Sequence, residues 1–179
     1  MPATIMRNKT ILVIIFALTL LILAGAVYYL SLKTKEEVPL EKEVLSRKVL
    51  LYYYNPEKDK DETGNIKCSR DGLVAIEKEI PVSKTPIQDT INLLLKGKEN
   101  LTEADIAQGI TTEYPLEGFS LKSASLKDGV LTLEFDDSQH KTVGGACRVG
   151  ILWFQIEATA KQFPEVKEVR FLPEEIFQP

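Results

Sequence analysis

The chain has 179 residues, 44% of them hydrophobic and 27% charged, with a formal net charge of −4. That length holds one domain and a short appendage. The acidic balance, with no basic cluster, excludes nucleic acid and anionic lipid as main partners of the folded part.

Residues 1–9 form a short N-terminus carrying Arg7 and Lys9. Residues 10–32, TILVIIFALTLLILAGAVYYLSL, contain no charge. A helix of that length covers about 30 Å, enough to cross a bilayer's hydrocarbon core. Positive charge dominates only its N-terminal side, so the positive-inside bias keeps that end in the cytoplasm. The remainder is expected outside the cell membrane, on an oxidising side. Tyr28 and Tyr29 fall near the outer interface, where amphipathic rings are favoured. A rival reading is a cleaved signal peptide, with Ile11 to Leu23 as its apolar region and Ala24-Gly25-Ala26 as the cleavage site. The run continues through Val27 to Leu30, which favours an uncut anchor. Both readings export the rest. No Cys directly follows the apolar run, so no lipoprotein anchor is expected.

Residues 33–46 mix charges around a single Pro and read as a tether. Residues 47–179 are the domain, with 17 basic and 22 acidic residues. Arg47 to Tyr54 is rich in β-formers and apolar on both faces, which predicts a central strand. Asn55 to Ser69 reads as a polar loop and Leu73 to Ile80 as a second strand. Thr85-Pro86-Ile87-Gln88 fits a capping box with Pro at the first helical position. Ile87, Ile91, Leu94 and Leu95 give that helix one apolar stripe, and Gly97 ends it. Residues 98–118 read as irregular, with one helical turn at Thr102 to Ala107 on a short Thr102–Asp105 cap pattern. Phe119 to Leu126 and Val130 to Phe135 flank Lys127-Asp128-Gly129, a hairpin signal because Asp-Gly supplies positive φ. Leu131, Leu133 and Phe135 share the core-facing side. Cys147 to Phe163 repeats apolar residues at helical spacing, Pro164 stops it, and Val166 to Phe171 alternates as a last strand. The expected domain is α+β, ordered β-β-α-β-β-α-β, with two helices on one face of a mostly antiparallel sheet.

Cys68 and Cys147 fall in the exported part, where two cysteines allow one pairing. A Cys68–Cys147 disulfide is expected, its long loop adding about 4 kcal/mol in the chain-entropy model. Two buried free thiols are the alternative. A different chemistry makes Cys147, at a helix N-terminus, a nucleophile with His140 as base, as in a cysteine enzyme acting on peptidoglycan. The Ser-His-Gly that precedes the cysteine of L,D-transpeptidases is absent here.

Asp59, Asp61 and Thr63 match the first ligand positions of a calcium loop, but Arg70 stands where a bidentate Glu belongs. Glu134, Asp136 and Asp137 crowd a strand end, where the default is a solvated surface. Ile151, Trp153 and Phe154 depart from the second helix's core stripe, which fits burial on two sides or an interface. No cofactor is expected.

Several segments together resemble the GerMN domain of spore-germination and sporulation proteins. They are Thr85 to Gly97 (TPIQDTINLLLKG), Tyr114 to Gly118 (YPLEG), Leu121 to Asp136 with its Asp-Gly turn, and Gln155 to Val169 (QIEATAKQFPEVKEV). Order and spacing carry the likeness, from about Val49 to Phe171. The resemblance implies a fold similar to ring-building motifs, a place outside the cytoplasmic membrane, and no transferable catalytic residues. It departs in having one copy instead of a tandem pair, and Leu172-Pro173-Glu174-Glu175 in place of a Gly turn. The expected function is therefore a non-enzymatic, membrane-anchored extracytoplasmic domain. It binds a protein or cell-wall partner, or assembles as a homo-oligomer, with a sporulation or germination role implied by the likeness.

Overall fold

A computed structural model describes residues 16–30 and 45–178. The chain divides into two units, Met1–Glu43 and Val44–Pro179. In the first, residues 16–30 form helix α1 with its apolar side chains exposed. Among the described residues no helix is long and apolar enough to cross a membrane. The ends of the predicted 10–32 span, the 1–9 segment and nearly all of the 33–46 tether lie outside the described residues.

In the second unit, β1 (Ser46–Tyr54) pairs antiparallel with β2 (Leu73–Pro81). Helices α2 (Pro86–Leu95) and α3 (Glu103–Ala107) follow. Then come β3 (Ser120–Lys127), β4 (Val130–Asp136), α4 (Ala146–Lys161) and β5 (Glu168–Leu172). The element order is the expected one, and the helical turn expected at Thr102 to Ala107 is α3, capped by Thr102. The expected single, mostly antiparallel sheet does not form. There are two sheets, β1-β2 and β3-β4-β5, and β5 runs parallel to β4.

The cause lies at the free edge of β1. That strand is not central, because α4 occupies its outer side. Gln162 Nε2 donates to the Leu50 carbonyl and Gln162 Oε1 accepts from the Leu50 N–H, both at 2.7 Å. Thr159 Oγ1 accepts from the Tyr52 N–H at 3.0 Å. A bridge between Tyr54 and Thr111 closes the end. Side chains satisfy backbone groups that a third strand would otherwise pair.

Capping also departs from expectation. Thr85 makes no side-chain cap to α2; Ser83 and Thr85 hydroxyls instead donate to Asp89. The short α3 carries the reciprocal box, with Thr102 and Asp105 bonding each other's backbone. Gly97 does end α2, at φ 57°. Asp128 and Gly129 both take positive φ, the twist a two-residue hairpin needs.

One core joins both sheets with α2 and α4. Val49, Leu51 and Tyr53 of β1 meet Ile91 and Leu94 of α2, Leu131, Leu133 and Phe135 of β4, and Val149, Leu152 and Ile156 of α4. Burial of each such side chain stabilises the fold by roughly 1.5–3 kcal/mol. The chain's last turn also packs here. Phe177 lies edge-on to Phe119, Phe135 and Phe171, at 5.8, 6.3 and 5.3 Å.

Candidate functional site

The disulfide stands as expected. Cys68 is bonded to Cys147 across 79 residues, with Cα atoms 5.1 Å apart. As a half-cystine, Cys147 offers no thiolate, so the pairing with His140 as base loses its nucleophile. His140 sits in a left-handed turn at φ 52°, its N–H donating to the Asp137 carbonyl at 2.9 Å.

Next to Cys68, the Asp59 side chain turns inward and is fully buried. The Tyr54 hydroxyl donates to its Oδ2 at 2.5 Å and the Ser69 N–H at 2.7 Å, while the Ser69 hydroxyl donates to Oδ1. Burial works to raise the pKa of Asp59, yet these hydrogen bonds hold it below the ordinary carboxylate value. Burial, then the adjacent Asp59, pushes Tyr54 up. Asp61 spends its Oδ1 on Thr63 and the Asn65 N–H, which holds its carboxyl down at about 2. The three oxygens of the calcium candidate thus serve internal bonds. Among the described residues, no three His, Cys, Asp or Glu side chains gather as a metal group.

The acidic strand end is similarly engaged. Ser123 bonds Glu134 at 3.0 Å. The Ser138 N–H, and then Lys122, hold Asp136 below its ordinary pKa. Asp137 accepts from the Lys141 and Thr142 N–H groups and from the Thr142 hydroxyl. Thr142 Oγ1 in turn accepts from the Phe177 N–H at 3.3 Å. This chain of bonds fixes the C-terminal turn over the core. Arg148 clamps the same loop to α4 through the Val143 and Lys141 carbonyls and also pairs with Glu113, in the segment before β3.

Around that C-terminal turn lie two clefts. One, of about 660 Å³, is lined by Asp136, His140 and Pro173 among others. The second, of about 420 Å³, runs along β5 between Trp153 and Phe177. Leu172 and Ile176 border both. Of the three candidate interface residues, Trp153 belongs here. It is 38% exposed and sits edge-on to Phe171 at 5.8 Å. Leu172 and Val143 are exposed apolar neighbours of the clefts. Ile151 is half-buried. Phe154 faces elsewhere, with the Arg70 guanidinium 4.1 Å above its ring; Arg70 also pairs with Glu157 at 2.5 Å. The sequence reading missed the C-terminal turn, although Ile176-Phe177 is the only apolar pair after β5.

The Germane family, described as sporulation and spore germination, matches residues 50–175. The tandem GerMN domains of the sporulation protein GerM from Bacillus subtilis share 23% identity at a TM-score of 0.50. That alignment covers 78% of this chain and 44% of the tandem, so this chain spans less than half of that structure. The first GerMN domain of the same protein shares 16% identity at a TM-score of 0.46, over 72% of this chain and 86% of that one. Among curated protein sequences none matches significantly.

Proposed function

This chain belongs to the Germane family of sporulation and spore germination domains, and from that premise we propose that it is a non-enzymatic, membrane-anchored assembly domain acting outside the cytoplasmic membrane. The apolar run 10–32 supplies the anchor. Within it Leu21 and Ile22 are each 70% exposed, as side chains that face lipid are. The domain then meets an envelope protein or cell-wall component through the surface around Trp153 and Leu172. The observation that carries the reading is this exposed apolar surface on a domain the family match spans almost from end to end. Exposed aromatic side chains beside half-filled clefts are frequent anchors for partners.

Two measurements test it. Protease added to intact spheroplasts should degrade the C-terminal domain; protection of that domain overturns the topology. Envelope components retained by the full chain in detergent should be lost with Trp153→Ala while thermal unfolding stays cooperative. Equal retention by the variant removes Trp153 from the surface.

A further inference from the structure

The strand β5 is an unpaired edge beside the Trp153 cleft. The Glu168 N–H donates to the Gly129 carbonyl at 3.1 Å, on the β4 side. Alternation along a strand then turns the amide groups of Val169 and Phe171 away from β4. Among the described residues no backbone hydrogen bond reaches that outer side. Native proteins blunt such edges by covering them or with charge. On β1 the cover is α4; on β5, among the described residues, no backbone or side-chain hydrogen bond plays that part.

The exposed face of β5 carries one acid and one base, two residues apart. Glu168 and Arg170 pair with each other at 2.6 Å and remain 53% and 63% exposed. This pattern is self-complementary in one register only. An antiparallel partner of the same sequence must keep the faces aligned, since a one-residue slip turns every side chain over. With the two-fold axis at Arg170, two arginines oppose. At Glu168, two glutamates oppose. With the axis at Val169, each Glu168 lies opposite the other copy's Arg170, twice over.

We infer that two copies of this chain pair through β5, antiparallel about Val169. The outward amides of Val169 exchange hydrogen bonds with their counterparts. Two Glu168–Arg170 pairs cross the axis on one face, and Trp153 flanks the joint on the other. The interface is isologous and closes as a dimer. A five-residue edge buries little area, so association in solution is weak, at roughly micromolar affinity or below. This inference deepens the assembly reading and rests on it, naming a second copy as one partner.

Sedimentation of the full chain in density-matched detergent should show a reversible monomer–dimer equilibrium. Arg170→Glu and Glu168→Arg, each placing like charges opposite, should each weaken dimerisation about tenfold or more. The double exchange, E168R with R170E, should restore it to within about threefold, an outcome a merely destabilised surface does not produce. An amine cross-linker on mixed light and heavy wild-type chains should join Lys167 to the Lys167 of the second copy. A chain that stays monomeric at 100-fold above the expected range, single reversals without effect, or an unrescued double exchange overturns the pairing. So does absence of that intermolecular cross-link, which needs no variant to fold. None of these failures touches envelope capture through Trp153 or the protease result, which test the broader reading separately.

Discussion

Gln162 holds both backbone groups of Leu50, donating through Nε2 and accepting through Oε1 at 2.7 Å. A side-chain amide thus occupies the position of a neighbouring strand. Its geometry copies the paired donor and acceptor of a peptide unit, and Thr159 repeats half of the pattern at Tyr52. Gln162→Ala should lower unfolding free energy by about 1–3 kcal/mol, because the freed Leu50 groups lie partly away from water. It should also increase light scattering on storage, since an edge is uncovered. Denaturant titration with an unchanged midpoint and no added scattering contradicts the role.

The disulfide ties the loop after β1 to the first turn of α4. Cys68→Ser with Cys147→Ser should cost about 2–4 kcal/mol. The loss should concentrate in residues 55–72, whose other ties to distant parts of the chain include the Asn55–Gln108 bond and the Arg70 contacts with Glu157 and Phe154. Hydrogen exchange resolved by peptide measures it. Uniform acceleration across the domain speaks against a local effect.

Local signals in the chain were legible where the deciding interactions are local. Asp128-Gly129 and Gly97 mark positions that need positive φ, and the alternation of Leu131, Leu133 and Phe135 marks a core face. The sheet arrangement was not legible, because it depends on a contact between residues 112 apart, Leu50 and Gln162. Gln162 looks in sequence like an ordinary polar residue at a helix end. Asp59 looks like a loop acid, and only the fold brings Tyr54 and Ser69 around it. Of the two cap motifs, the one at Thr102 formed its box because Asp105 is available to it, whereas Asp89 draws the hydroxyls of Ser83 and Thr85. Trp153 and Leu172 were separable from the core only once β5 and the C-terminal turn defined which side was covered.

Asp59 gives the domain an acid-sensitive joint. Its folded pKa lies below the unfolded value of about 3.9. The unfolded chain therefore binds more protons across the acid range, so the contribution is complete above about pH 5 and drains as pH falls through the folded value. Asp59→Asn should flatten the acid limb of the stability curve while lowering its plateau. Tyr53, pushed up to about 12 by burial, acts at the other end. Its contribution is present below about pH 10 and is lost as pH rises towards its folded value. An unchanged acid limb in the Asn variant places the acid sensitivity elsewhere.

Gly97 combines a backbone requirement with a steric one. Its φ of 57° suits glycine, and a Cβ there would lie 1.8 Å from the Tyr114 carbonyl oxygen and 2.0 Å from its carbon. Backbone on the other side cannot yield as a flexible side chain does. The Lys98 N–H also donates to that carbonyl at 3.1 Å, and Tyr114 itself is fully buried with its hydroxyl on the Leu152 carbonyl. Displacing Tyr114 therefore disturbs α4 as well as α2. Gly97→Ala should cost at least about 3 kcal/mol, beyond the usual cost of a left-handed alanine alone. Gly64, also at positive φ but with nothing within 4 Å of a Cβ, is the control. Its alanine variant should lose only about 1 kcal/mol, the conformational part. Equal losses at the two positions, read from thermal or denaturant unfolding, show that the approach of Tyr114 is relieved without cost.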